Sequence, residues 1–126
     1  MGVFLQQKIS SMEASFSSEI LRACRSHAKK NYSVESCGLI LDYKPEAFFP
    51  MQNYLNSSDG FELDPKVILL KNKMKAIFHS HPFSIAYPSG EDMVKSKALG
   101  VPYLIYSCIH DNFIYFNLKK CIPMKA

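Results

Sequence analysis

A short apolar run closes on two histidines, a proline follows at once, and a serine-capped, acidic helix start lies a few residues further on. The residues are Met74-Lys75-Ala76-Ile77-Phe78-His79-Ser80-His81-Pro82 and then Pro88-Ser89-Gly90-Glu91-Asp92. No other stretch of the chain limits the fold so tightly. Ala76, Ile77 and Phe78, bounded by lysines on one side and Pro82 on the other, read as a buried strand. Alternation along a strand sends His79 and His81 to one face and Ser80 to the other. Pro82 has no N–H to donate and ends regular pairing. Ser89 is a good N-cap, and Glu91 and Asp92 put acids in the first turn of the helix it opens. A strand end and a helix start joined by so short a loop converge on one point.

That point suits a metal ion. A zinc site that hydrolyses its substrate uses three protein ligands and keeps one position open for water, and His79, His81 and Asp92 can supply the three. Taken singly each feature has a plainer reading. Ser89-x-x-Asp92 is by itself a capping signature, and a His-x-His pair at a strand end is often only hydrogen-bonded. Together they favour the metal.

The rest of the chain bounds the answer. Its 126 residues fit one domain with one core. No apolar stretch approaches the ~18 residues of a membrane span. Residues 1–11, with one lysine and no useful apolar core, do not read as a signal peptide, so synthesis and folding in the cytoplasm are expected. They are read as an N-terminal arm, and 12–126 as the domain. The net charge of +4 comes from scattered lysines and arginines, which argues against a nucleic-acid groove. Cys24, Cys37, Cys108 and Cys121 are widely spaced with no Cys-x-x-Cys pair, and are expected as buried free thiols.

Periodicity and breakers order the elements. Met12 to Asn31 reads as an amphipathic helix capped by Ser11 or Ser15, with Phe16, Ile20, Ala23, Cys24 and Ala28 on its apolar side. Cys37–Asp42 and Ala47–Asn53 read as a hairpin, with Pro50 marking an edge strand. Asn56–Gly60 is a polar loop, and Phe61–Leu63 a possible short strand. Asp64 caps a helix reaching about Asn72, with Pro65 at its first position. The histidine strand follows, and the Ser89 helix stops at Gly100. Pro102–Cys108 and Phe113–Leu118 form a closing hairpin around Asp111-Asn112. The expected fold is an α/β sandwich, one mixed sheet with helices packed against it.

Hydrolysis also needs a base close to the metal and an acid for the leaving amine, and a carboxylate can serve as both in turn. Glu35, at the junction of the first helix and an apolar strand, is the best-placed acid, although spacing alone would as readily leave it an exposed loop residue. Glu35-Ser36-Cys37-Gly38-Leu39, with His79-x-His81-Pro82 and Ser89-x-x-Asp92, resembles the JAMM metalloprotease signature of the MPN family. The resemblance implies a single MPN domain, a curved mixed sheet flanked by helices. It implies one zinc ion per chain held by His79, His81 and Asp92, Glu35 as base and proton shuttle, and a Ser89 hydrogen bond to the tetrahedral oxyanion.

Within that family the chain is similar to the N-terminal domain of K-type tail assembly proteins of tailed phages. The similar stretches include Phe49-Pro50-Met51-Gln52-Asn53, Phe61-Glu62-Leu63-Asp64-Pro65 and Phe78-His79-Ser80-His81-Pro82, within a region from Ser15 to Cys121. The implied function is a zinc metallopeptidase that cuts amide or isopeptide bonds at a phage tail tip, in host peptidoglycan peptides or in a tail protein. Implied partners are tail-tip proteins or a separate NlpC/P60 peptidase, and the implied location is the virion. Two alternatives stand beside it. One is a deconjugating isopeptidase for a ubiquitin-like protein, ranked lower because the segment before His79 leaves little room for substrate-gripping insertions. The other is a non-catalytic tail module, disfavoured because no ligand position is lost. Asn53 and the Ser57–Gly60 loop are expected near the cleft.

Overall fold

The computed structural model describes residues 15–124, so the expected arm at 1–11 and the first part of the expected helix lie outside the described residues. Helix α1 spans Ser18–Lys30. Strands β1 (Cys37–Leu41) and β2 (Ala47–Met51) form a hairpin, and a 3₁₀ segment, Pro65–Lys73, leads into β3 (Met74–His81). Helix α2 (Gly90–Leu99) then connects to β4 (Tyr103–Ser107), β5 (Asn112–Phe116) and β6 (Cys121–Met124). The strands make one open mixed sheet in the order β2-β1-β3-β4-β5-β6. Among the described strands only β3 and β4 are parallel, and α2 is their crossover connection.

Alternation divides the core between the two faces of the sheet. Ile40, Ala76, Phe78, Leu104 and Tyr106 face α1, meeting Ile20, Leu21, Cys24 and Ala28. Leu39, Ile77, Tyr103 and Ile105 face the other layer, where Val67 of the 3₁₀ segment and Met93 and Leu99 of α2 pack. Strands β1 and β4 are therefore buried along their whole length, as central strands covered on both faces must be. Both edge strands carry a proline, Pro50 in β2 and Pro123 in β6, which limits ladder extension by another chain.

Several boundaries differ from those the sequence suggests. The N-cap of α1 is Ser17, whose Oγ accepts from the Ile20 N–H at 3.1 Å, so residues 15–17 are not helical and Ser15 is not the cap. Phe16 instead packs edge-on against Tyr115. Lys75, bonded to the Ser15 carbonyl and to Glu46, fixes the chain there. Ala23 is exposed, and Leu21 takes its place on the buried side. Phe61–Leu63 forms no strand, because Asn53 and Tyr54 take the backbone groups of Glu62. The helix after Asp64 is 3₁₀ rather than α. The hairpin strands end at Leu41 and Met51, β5 ends at Phe116, and β6 is an additional strand. All four cysteines are free, but only Cys24 and Cys37 are buried, while Cys108 and Cys121 are partly exposed.

Gly38 shows how tightly β1 sits between its neighbours. A Cβ there would stand 2.5 Å from Phe48 Cε1 and 2.7 Å from the Phe49 carbonyl oxygen. The first atom belongs to a ring already packed on Phe78 and His27, and the second is backbone. Gly38→Ala is expected to destabilise the fold by about 1–3 kcal/mol, the usual cost of overpacking a core. A lowered denaturation midpoint with an unchanged denaturant slope is the expected readout.

Candidate metal centre

The site is assembled from three elements that are distant in sequence. The antiparallel register of β1 and β3 pairs Cys37 with His79. The pairing continues past the end of β1: the Ser36 N–H donates to Ser80 Oγ at 2.8 Å, and the Ser80 N–H donates to the Ser36 carbonyl at 2.9 Å. Two residues beyond Cys37, the same register sets Glu35 across from His81. Because side chains alternate, Glu35, Cys37, His79 and His81 all leave the same face, while Ser80 is used on the other side to hold the strands together. The third element is the start of α2. Ser89 Oγ accepts from the Asp92 N–H at 3.0 Å, and Asp92 Oδ2 accepts from the Ser89 N–H at 3.0 Å, a reciprocal capping box. The cap thus fixes the Asp92 carboxylate and turns it toward β3.

All four side chains are buried, at 0% exposure for His79, 5% for Glu35, 6% for His81 and 7% for Asp92. Asp92 Oδ2 lies 3.2 Å from His79 Nε2 and 3.2 Å from His81 Nε2. The Glu35 carboxylate and the two imidazoles each place a ligand atom within 4.8 Å of the others. The structure therefore brings together His79, His81 and Asp92, as the sequence leads one to expect, and sets Glu35 against the same histidines.

Two details test whether a cation fits. His81 Nδ1 lies 2.8 Å from the Ile85 carbonyl, which only a protonated Nδ1 can satisfy. In the neutral ring, Nε2 then carries a lone pair, and it faces a carboxylate oxygen. Two acceptors at that distance need a proton or a cation between them. Glu35 Oε1 is buried with no hydrogen-bond partner among the described residues, and a buried carboxylate oxygen without a partner is costly. Two imidazole nitrogens and a carboxylate, oriented by a backbone carbonyl and a helix cap, are a donor set that zinc accepts. The residues fit the ion.

The electrostatics agree with this crowding. Burial pushes Glu35 up to about 8, against the opposing pull of His81 and with a further push from Asp92. Burial also lowers His79, disfavouring a charge on its ring despite its contact with Asp92; the ring is stacked on Phe61 at 4.5 Å between centroids. Burial disfavours the charged Asp92, but the two imidazoles that face it and the Ser89 N–H overcome this and hold the carboxyl well below the usual range. In His81 burial is likewise outweighed, here by Asp92, the Ile85 carbonyl and Glu35, so its affinity for a proton is raised.

A cleft of about 360 Å³ opens beside Glu35, between Asn31 at the end of α1 and the loop carrying Asn53 and Tyr54. Asn53 lines it, but its polar atoms are already engaged. Nδ2 donates to the Glu35 carbonyl at 2.9 Å and to the Gly60 carbonyl at 3.0 Å, while Oδ1 accepts from the Leu55 and Glu62 N–H groups at 3.0 Å. The Glu35 N–H donates to the Ser57 carbonyl at 2.8 Å. Asn53 is thus the hub that fixes the Glu35 backbone, a role that composition and periodicity do not reveal. Asn53→Ala leaves several of these groups without partners. It is expected to destabilise the chain by about 1–3 kcal/mol and to lower activity while leaving metal content unchanged, as paired melting curves and metal analysis will show.

The family described as "Prokaryotic homologs of the JAB domain" matches the chain over residues 17–117. Among solved structures, the solution structure of protein DSY2949 from Desulfitobacterium hafniense superposes with a TM-score of 0.65 at 23% sequence identity, covering 86% of this chain and 88% of that one. At that identity the likeness concerns the fold. No curated protein matches the sequence.

Proposed function

The chain belongs to the family of prokaryotic homologues of the JAB domain, and from that premise we propose that it is a zinc-dependent metallopeptidase hydrolysing amide or isopeptide bonds. The observation that carries this reading is the convergence of two imidazole Nε2 atoms on one capped carboxylate oxygen, with a second buried carboxylate beside them. His79, His81 and Asp92 would hold the ion. When bound, zinc supplies a Lewis acid and brings the pKa of water down toward ~7.

The remaining roles belong to the chain's own groups. Glu35 Oε1, which has no hydrogen-bond partner among the described residues, takes a proton from the nucleophile and returns it to the nitrogen of the leaving amine. Burial raises the proton affinity of the carboxyl, which suits a group that must both accept and give a proton. Ser89 Oγ uses a lone pair for the Asp92 N–H, so its own proton is free to donate to the carbonyl oxygen as charge develops there. A preorganised donor of this kind is typically worth a few kcal/mol in the transition state. Asn53 keeps Glu35 in place from the other wall of the cleft.

The resemblance of several stretches to K-type tail proteins leads us to propose a peptide of the host wall, or a tail protein, as the substrate rather than a ubiquitin-like modifier. The test uses protein purified without chelator. About one zinc per chain is expected, together with chelator-sensitive cleavage of peptidoglycan-derived peptides or of a tail protein. Cleavage confined to a ubiquitin-like fusion would select the deconjugating reading. A chain that takes up no zinc from a stoichiometric supply would overturn the metallopeptidase.

A further inference from the structure

The 3₁₀ segment Pro65–Lys73 holds four successive apolar residues, Val67-Ile68-Leu69-Leu70, yet buries none of them. With three residues per turn, positions i and i+3 lie above one another. Val67 and Leu70 share the row that leans on the sheet. With Leu39, Leu41 and Phe49 they line an apolar groove of about 330 Å³. Ile68 and Leu69 fall on the other rows and point away from the sheet, 57% and 83% exposed. Together with the exposed parts of Tyr43, Phe49 and Leu70, they leave an apolar patch on this face, and contiguous exposed apolar patches mark interaction sites.

The charges flanking this patch are arranged in a particular order. Glu62, Asp64 and Lys66 precede the apolar residues, with Asp64 taken up by the Tyr54 hydroxyl and the Lys66 N–H, and Lys71 and Lys73 follow them, so the leading end is net acidic through Glu62 and the trailing end basic. Laid antiparallel on a copy of itself, the segment sets its own acids against the copy's lysines at both ends, with apolar residues meeting between them. An isologous two-fold contact needs this kind of self-complementarity. We propose that this face is the interface of a homodimer, in which Leu69 of each chain enters the groove of the other and Glu62 of each chain lies opposite Lys73 of the other. None of these residues belongs to the metal centre, so the dimer stands or falls independently of the peptidase reading.

Sedimentation velocity of the full chain over a range of concentrations tests it. The native chain is expected to show a reversible species of twice its mass, and Leu69→Lys to weaken it by at least about tenfold. Circular dichroism should show that the variant is folded. Glu62→Lys and Lys73→Glu, each on exposed side chains, are each expected to weaken self-association, because like charges then meet. Mixing these two variants restores opposite charges at both ends, and a heterodimer approaching native strength is expected. A native chain that stays monomeric would hand the groove to another occupant and overturn the proposal. So would a dimer indifferent to Leu69→Lys. Mixed variants that fail to recover pairing would overturn the antiparallel arrangement.

Discussion

His81→Ala is expected to empty the metal centre and abolish hydrolysis. Removal of an outer partner of a zinc ligand typically costs 10–100-fold in affinity or activity, and loss of a ligand itself should cost more. As a ligand His81 would do more than donate a lone pair. Its Nδ1 is tied to the Ile85 carbonyl, so the ring anchors the loop between β3 and α2 while Nε2 faces Asp92. Zinc content should fall from about one per chain to near zero at stoichiometric supply. The fold should persist, because Ser107 Oγ still donates to the Ser84 carbonyl and the capping box still starts α2. The native chain should lose thermal stability on chelation, since an ion at 1,000 times its Kd contributes about 4 kcal/mol. His81→Ala should melt at the same temperature with and without chelator. A variant that kept full zinc would remove His81 from the ligand set.

The elements that sequence reveals best are those set by local chemistry. Pro50 marks β2 as an edge strand, and β2 lies at one edge of the sheet. Ser89 and Gly100 bound α2, Gly100 at a positive φ of 74° that suits its lack of a side chain. His79 and His81 leave one face of β3 because alternation requires it. What remained hidden depends on partners far along the chain. The opposition of Glu35 to His81 is a property of β1–β3 register, not of any spacing. Asn53 holds Glu35 through backbone groups, which leave no trace in composition. Strand β6 leaves little signal in the sequence, because it has only four residues and Pro123 is one of them. It forms because Asn117 closes the turn, accepting at Oδ1 from the Lys120 N–H at 2.8 Å, and because the outer edge of β5 is available. The 3₁₀ segment has the composition of a buried helix, and its apolar residues lie on more faces than the sheet can cover.

Glu35→Gln separates the roles of the two carboxylates. The geometry places Glu35 with the two histidines within ligand range of one another, yet it is Asp92 that lies against both Nε2 atoms and is fixed by the helix cap. If Asp92 is the ligand and Glu35 the base, the amide at position 35 retains zinc, because it removes no ligand. Turnover should then fall by roughly 10²–10⁴-fold, the usual worth of a positioned acid–base group. Stability should change little, since a near-isosteric amide takes the place of a buried carboxyl whose Oε1 has no partner among the described residues. Substrate should still bind, so the variant could trap a complex. Asp92→Asn should do the reverse, losing zinc first and activity as a consequence. Ser89→Ala should keep zinc and lose less activity than Glu35→Gln, at a cost of about 1 kcal/mol from the weakened cap. The deciding measurement is zinc content paired with cleavage rate for both carboxylate variants. If Glu35→Gln loses zinc while Asp92→Asn keeps it, Glu35 is the ligand, and the proton transfers need another group. If Glu35→Gln keeps its zinc and cleaves at the native rate, Glu35 has no part in the reaction.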